Sequence, residues 1–404
     1  MIQLLSSKRA LIGCAILALT PCLAFSQYGD GSGGGSGGGS GGGSGGGSGG
    51  GTGGGSGGNA GASSGSYETQ VLVSDGAVPA AATDTNLVNA WGLAFNPQGF
   101  AWAANNGTGT ATLYDGNGQP NSMIIVTIPP GPGETAASPT GIVFSGGEDF
   151  VVNGTTTGGA AAQGPARFII VTEGGQIVGW APNVSTSTAF LAVDNSAGGA
   201  EGHGIYKGAA LGGDGSSHLL YVTDFHNGRV DVFDGNFQPV TLSADAFTDP
   251  SLPSGFAPFG IQAINGDIYV TYAMQDENAE DDVKGPGLGR VDVFDPQGKL
   301  VKQLIDGSVL NAPWGLALAP LSFGPLGGAL LVGNFGDGTI NAFSPTTGEA
   351  LGALSDANGN PIHIDGVWGI QFGNGLLNQE TNALFATAGP NDEMNGTYNV
   401  IRAQ

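Results

Sequence analysis

The chain has 404 residues, with 10 lysines and arginines against 33 aspartates and glutamates, a formal net charge of −23. So acidic a surface repels polyanions, which argues against nucleic acid and anionic membranes as partners. Both cysteines, Cys14 and Cys22, fall before residue 27, so the remainder has no disulfide, thiolate metal site or cysteine nucleophile.

Residues 1–26 read as a secretory signal. Lys8 and Arg9 form its charged start, Leu11 to Leu19 its apolar middle, and Ala24-Phe25-Ser26 a small-x-small cleavage site. Pro21 interrupts the apolar run, which falls short of the ~20 residues that a spanning helix needs. Removing the signal takes away two basic residues and no acidic one, leaving 8 against 33, a net charge of −25. Residues 27–66 are mostly Gly-Gly-Gly-Ser. Such a stretch buries too little surface to offset its ordering entropy and is expected to be a disordered linker, spanning roughly 35 Å as a random coil. No later segment is long and apolar enough to be a transmembrane helix. The expected location is extracellular or periplasmic.

Residues 67–404 are organised by a phrase that occurs six times. It begins as Ala90-Trp91-Gly92-Leu93-Ala94-Phe95 and returns at Pro139, Tyr206, Pro258, Pro313 and Val367, with glycine always third: Gly141, Gly208, Gly260, Gly315 and Gly369. A period of about 50 residues signals a propeller or another repeat architecture. Each phrase is a short, nearly all-apolar run, as a strand buried on both faces should be. In the first unit it is followed by strands at Ala101 to Ala104, Ala111 to Tyr114 and Met123 to Ile128. The third unit places them at Leu219 to Thr223, Arg229 to Phe233 and from Val240 onward. The loops between second and third strands carry Asn-Gly or Asp-Gly, which tight hairpins need for positive φ. Four-stranded antiparallel units repeated radially predict an all-β, six-bladed β-propeller. The sixth unit lacks a fourth strand and a spare one, Glu68 to Val73, precedes the first. Pairing the two would close the ring and cover an open edge.

Strand direction places the loop leading into each inner strand and the loop between second and third strands on one face. That face gathers Trp91, Tyr206, Phe259, Trp314 and Trp368 with Asn105, Asp224, His226, Asn334, Asp337, Asn391 and Asp392. A mouth with converging aromatic and polar groups is the default ligand site. The residues expected to bind a small molecule, glycan or protein there are Trp91, Asn105, Asp224, His226, Trp314, Asn334 and Trp368. The same aromatics would also suit wedges between blades, and the same Asn and Asp would suit turns. In the fourth unit the second-to-third loop is expanded, with Asp276, Glu277, Glu280, Asp281 and Asp282 supplying five carboxylates in seven residues. These are candidate ligands for Ca²⁺, which takes six to eight oxygens, though the spacing is not that of an EF-hand. Asp392 and Glu393 would join them if the two loops meet.

With Asn89 to Phe95, Thr223 to Arg229, Pro313 to Ala317 and Gly333 to Gly338 in view, the chain resembles the uncharacterised secreted bacterial propellers related to NHL repeats, many of which carry a PEP-CTERM sorting tail. Gly389-Pro390-Asn391-Asp392-Glu393 and Gly285-Pro286-Gly287 fit the same family. The resemblance implies a six-bladed propeller exported by a Gram-negative bacterium and implies no activity. The chain departs from it at Ile401-Arg402-Ala403-Gln404, where the sorting tail would stand, and in its long Gly/Ser stretch.

Six-bladed lactonase-type propellers hold a metal with channel carboxylates, whereas the six phrases here contain none. No nucleophile-elbow serine or zinc motif accompanies His226 and Asp224. The sequence therefore favours a monomeric binding or scaffold module and names no catalytic residue. The competing reading is a Ca²⁺-dependent hydrolase of lactones or sugars acting at the mouth.

Overall fold

The computed structural model describes residues 66–197, 203–213 and 218–404. The signal and nearly all of the linker lie outside them. Among the described residues no helix is long and apolar enough to cross a membrane.

Six antiparallel sheets form the blades of a β-propeller, each with one of the six phrases as its inner strand. Blade 1 is Ala90–Phe95, Ala101–Asn105, Thr110–Tyr114 and Val126–Thr127. Blade 2 is Pro139–Phe144, Phe168–Thr172, Gln176–Trp180 and Phe190–Asp194, with an extra hairpin, Val151–Thr155 and Ala161–Pro165, after its inner strand. Blade 4 is Phe256–Ile264, Asp267–Gln275, Gly289–Phe294 and Leu300–Asp306; blade 5 is Pro313–Leu318, Leu330–Asn334, Ile340–Phe343 and Ala350–Ala353. Blade 3 has three strands, Tyr206–Gly213, His218–Asp224 and Arg229–Asp234. The outer strand expected from Val240 reduces to a single bridge, Phe233 to Pro239, and one bond from the Val240 N–H to the Val232 carbonyl. Proline has no N–H to give a ladder, and turns follow it. Blade 1's outer strand is likewise shorter than expected.

Blade 6 is Val367–Phe372, Leu384–Ala388 and Thr397–Ala403, and its outer strand is Tyr67–Ser74, taken from ahead of blade 1. The pairing is antiparallel and runs from Tyr67 opposite Ala403 to Ser74 opposite Thr397. Leu72 and Val73 are buried in the cluster between blades 6 and 1. The Tyr67 hydroxyl donates to the Phe323 carbonyl (3.1 Å) and accepts from the Leu326 N–H (3.0 Å), so the strand also grips blade 5.

The core consists of apolar clusters between successive blades, each built from the facing sides of two sheets. At the axis the inner strands pack on one another through the phrase glycines. A Cβ at Gly260 would collide with the Trp314 carbonyl oxygen, and one at Gly315 with that of Trp368. At Gly369 it would lie 2.7 Å from the Trp91 carbonyl oxygen, which closes the circle onto blade 1. The ladder shifts register across each of these glycines, as a β-bulge does. Threonines take up carbonyls that the bulges leave free. Thr140 donates to Tyr206 O (2.7 Å), Thr223 to Phe259 O (2.7 Å) and Thr387 to Trp91 O (2.6 Å), each reaching the next blade.

Gly260→Ala should therefore destabilise the fold by at least about 2 kcal/mol, as overpacking does. Gly158→Ala, in the open turn of the extra hairpin, should be near neutral; equal denaturation midpoints for the two would refute the close-approach account. Deleting residues 67–75 should cause a large loss of thermal stability, since fully burying Leu72 and Val73 is worth roughly 1.5–3 kcal/mol each. A deletion variant that melts like the parent would reject closure by the leading strand.

Candidate functional site: the channel mouth

The second residues of five phrases gather at one end of the channel, while Thr140 of blade 2 bonds the Tyr206 carbonyl. In chain order the six second residues are Trp91, Thr140, Lys207, Phe259, Trp314 and Trp368. The aromatic members fill the mouth instead of rimming an opening. Trp368 is sandwiched between Trp91 (3.6 Å between ring centroids, 18°) and Phe335 (3.7 Å, 13°). Trp314 and Phe259 meet it edge-on, and Phe225 packs on Phe259 at 5.2 Å. All six rings are buried and form one cluster. The Trp368 indole N–H donates to Asn89 Oδ1 (3.1 Å) and that of Trp314 to the Lys207 carbonyl (3.2 Å). The opposite end of the channel is a small cavity of about 170 Å³ with Gln262 and Gln371 in its wall.

The polar residues expected at the mouth lie on this face and shape its loops. Asn105 is fully buried and donates to Thr110 Oγ1 (3.1 Å) and Thr112 Oγ1 (2.9 Å). Asn334 donates to the Val309 carbonyl (2.7 Å) and accepts from the Asn311 N–H (3.2 Å). Asp224 accepts from the Asn227 side chain (2.7 Å) and the Ile205 N–H (3.2 Å), with Arg229 at 3.5 Å. Burial pushes its carboxyl above the usual range. His226 stacks on His203 (4.6 Å between centroids) and lies 3.1 Å from the Ala279 carbonyl. Tyr206 turns away from the axis and bonds Asp231. Asn391 and Asp392 are exposed.

The expanded loop of blade 4 divides its carboxylates. Asp276 Oδ1 accepts the N–H groups of Asn278, Glu280 and Asp281, which hold its carboxyl below the usual range. Glu277 and Glu280 are exposed, Asp281 pairs with Lys207, and Asp282 lies in a short strand beside Gln275. Among the described residues, no group of three or more His, Cys, Asp or Glu side chains is placed to hold a metal ion.

A different constellation gathers above the rings. Lys207, 1% exposed, pairs with Glu173 (2.5 Å) from blade 2 and Asp281 (3.1 Å) from blade 4. Its ammonium lies 5.2 Å from the Trp91 ring and 5.9 Å from Phe225. Its carboxylate partners hold its pKa above the usual value in spite of burial, the largest opposing influence. Glu173 also accepts from Asn106 of blade 1 (2.8 Å). Lys284 lies over Phe335 at 4.1 Å. Glu393 of blade 6 joins them: burial, then Glu173 and Asp282, push its carboxyl up to about 7. Burial likewise pushes Asp282 up to about 6 against the pull of Lys207 and Lys284. The charges of the blade 4 loop thus act on Glu393 of blade 6. The backbone holds Glu393 there through three successive left-handed residues, Asn391 (φ 59°), Asp392 (φ 50°) and Glu393 (φ 64°). For non-glycine residues such conformations cost of order 1 kcal/mol or more each.

Sequence reasoning missed Glu173 because the extra hairpin of blade 2 obscured which loop carries it. It also assigned no role to the charged end of Lys207. The signal was present, since Lys207 stands where four other copies have an aromatic.

Glu393 gives a pH signature. Below about pH 4.5, its ordinary value, it is protonated in both folded and unfolded chains. Between there and about 7 only the folded chain keeps the proton, so this contribution makes stability fall as pH rises, then level off. Asp292, also raised to about 7 but placed beside Asp249 and Arg290, titrates in the same window. Subtracting the Glu393→Gln stability curve from the parent curve should isolate the Glu393 descent; a flat difference would contradict its placement among these charges.

No family model matches the chain. Two uncharacterised proteins of Acanthamoeba polyphaga mimivirus do. R648 is 32% identical over 342 residues, covering 83% of this chain and 80% of that protein. L690 is 30% identical over 309 residues, covering 76% and 78%. Among solved structures, a glucose dehydrogenase superposes with a TM-score of 0.50 over 83% of this chain and all of its own, at 12% identity, a likeness of fold alone. The chain belongs to the family of these two mimivirus proteins and has the fold of a six-bladed β-propeller.

Proposed function

We propose that this protein is an exported binding module that docks a partner on the mouth face of its propeller and performs no chemistry of its own. One observation carries the reading: the mouth is packed with six buried rings, leaving a surface where an enzyme of this architecture would need a pocket. Asn105, Asp224 and Asn334, the polar groups nearest to an active-site arrangement, are engaged in shaping loops. Export is supported by the signal-like leader and by a cysteine-free remainder. The Gram-negative setting rests on the resemblance to NHL-like secreted propellers, since both relatives above are viral.

The test is a panel of lactones, esters and sugars offered to the full chain with and without Ca²⁺, and to the Asp224→Ala and Asn334→Ala variants. The expected result is no turnover that depends on either residue. Hydrolysis abolished by one of these substitutions in a variant that still folds would replace the binding reading with the hydrolase.

A further inference from the structure

We propose that the carboxylates gathered at the mouth receive a basic side chain, an ammonium or guanidinium, from a partner protein. The inference rests on the binding-module reading and supplies the chemistry of its ligand. Glu173, Asp281, Asp282 and Glu393 come from second-to-third loops of blades 2, 4 and 6. The cations that act on them are Lys207 and Lys284. Above about pH 7, where all six are ionised, four negative charges face two positive ones, and two remain uncompensated.

One atom displays the shortfall. Asp282 Oδ2 is shut off from solvent and has no hydrogen-bond partner, whereas buried carboxylate oxygens are normally satisfied. Lys207 is already taken by Glu173 and Asp281, and Lys284 rests on the Phe335 ring. Among the described residues, neither lysine forms an ion pair with Asp282 or Glu393. The mouth also demonstrates how this fold holds a cation, since the Lys207 ammonium combines two carboxylates with the faces of Trp91 and Phe225. A lysine or arginine arriving at Asp282 and Glu393 would meet carboxylates of the same kind. Asp281, 76% exposed along its side chain, marks an open approach. A second copy of this chain is a poor source of that cation, because its own 33 acidic side chains outnumber its 10 basic ones. Charge complementarity therefore selects a basic partner of another kind.

The experiment measures binding of labelled hexalysine and hexaarginine peptides to the full chain at low and physiological salt. Paired Asp282→Asn and Glu393→Gln substitutions should weaken binding by roughly tenfold or more, as loss of buried charge partners does. Paired Glu277→Gln and Glu280→Gln substitutions remove the same charge from exposed positions of the same face and should change affinity by less than about twofold. Equal losses from the two pairs would mean diffuse acidity and overturn the inference. So would the absence of peptide binding, or a Ca²⁺-induced rise in melting temperature that the Asp282/Glu393 pair abolishes while no peptide binds. Glu393→Gln alone, checked by circular dichroism, covers the case in which the double variant fails to fold. None of these failures touches the binding-module reading, which falls to residue-dependent turnover instead.

Discussion

Six inner strands can share one axis only if their backbones approach more closely than side chains permit. The phrase glycines make that approach possible, and the rest of the molecule follows from it. With Gly260 against Trp314 O and Gly369 against Trp91 O, there is room for hydrogen and for nothing larger. The register shift at each glycine frees carbonyls at the axis, and Thr140, Thr223 and Thr387 tie three of them to the neighbouring blade. Five of the six residues that precede these glycines are thereby delivered to the mouth. Four aromatics delivered to one place, joined by Phe225 and Phe335, leave no opening.

The charged layer depends on the ring in turn. Lys207 occupies an aromatic's place in the repeat, so it brings an ammonium to the centre of an apolar plug. Burying that charge without partners would be prohibitive. Glu173 and Asp281 supply partners from two blades, and Trp91 and Phe225 supply ring faces. The strained turn at Asn391 to Glu393 then adds a carboxyl that Lys207 has no remaining capacity to neutralise. A face packed with rings below and carboxylates above is the basis of the binding proposal.

Much of the fold was legible because repetition amplifies weak signals. Glycine recurring six times among apolar residues fixes the inner strands, and a missing last strand beside a spare first one announces the closure. The outer strands were less legible. They are short, half exposed and weakly specified, and at Pro239 one is reduced to a single bridge. At the mouth, the sequence placed Trp91, Trp314 and Trp368 correctly on one face. It could not tell a rim from a plug, because that depends on ring stacking across blades hundreds of residues apart. Asn105, Asp224 and Asn334, expected as ligand groups, make loop-shaping hydrogen bonds, a use that the same residue types also suit. Glu173, Asp282 and Glu393 each lie more than a hundred residues from the next in the chain. Nothing local marks them as neighbours; only the circular order of the blades does.

The central claim is that stacked rings close the mouth, and the tryptophans report on it directly. All five, Trp91, Trp102, Trp180, Trp314 and Trp368, are buried. Acrylamide quenching of the native protein's fluorescence should find blue-shifted emission and little accessibility until the chain is unfolded. A native fraction quenched as readily as free indole, and lost when Trp91, Trp314 and Trp368 are replaced by phenylalanine, would mean that the mouth stands open and that a pocket lies where a seal is described.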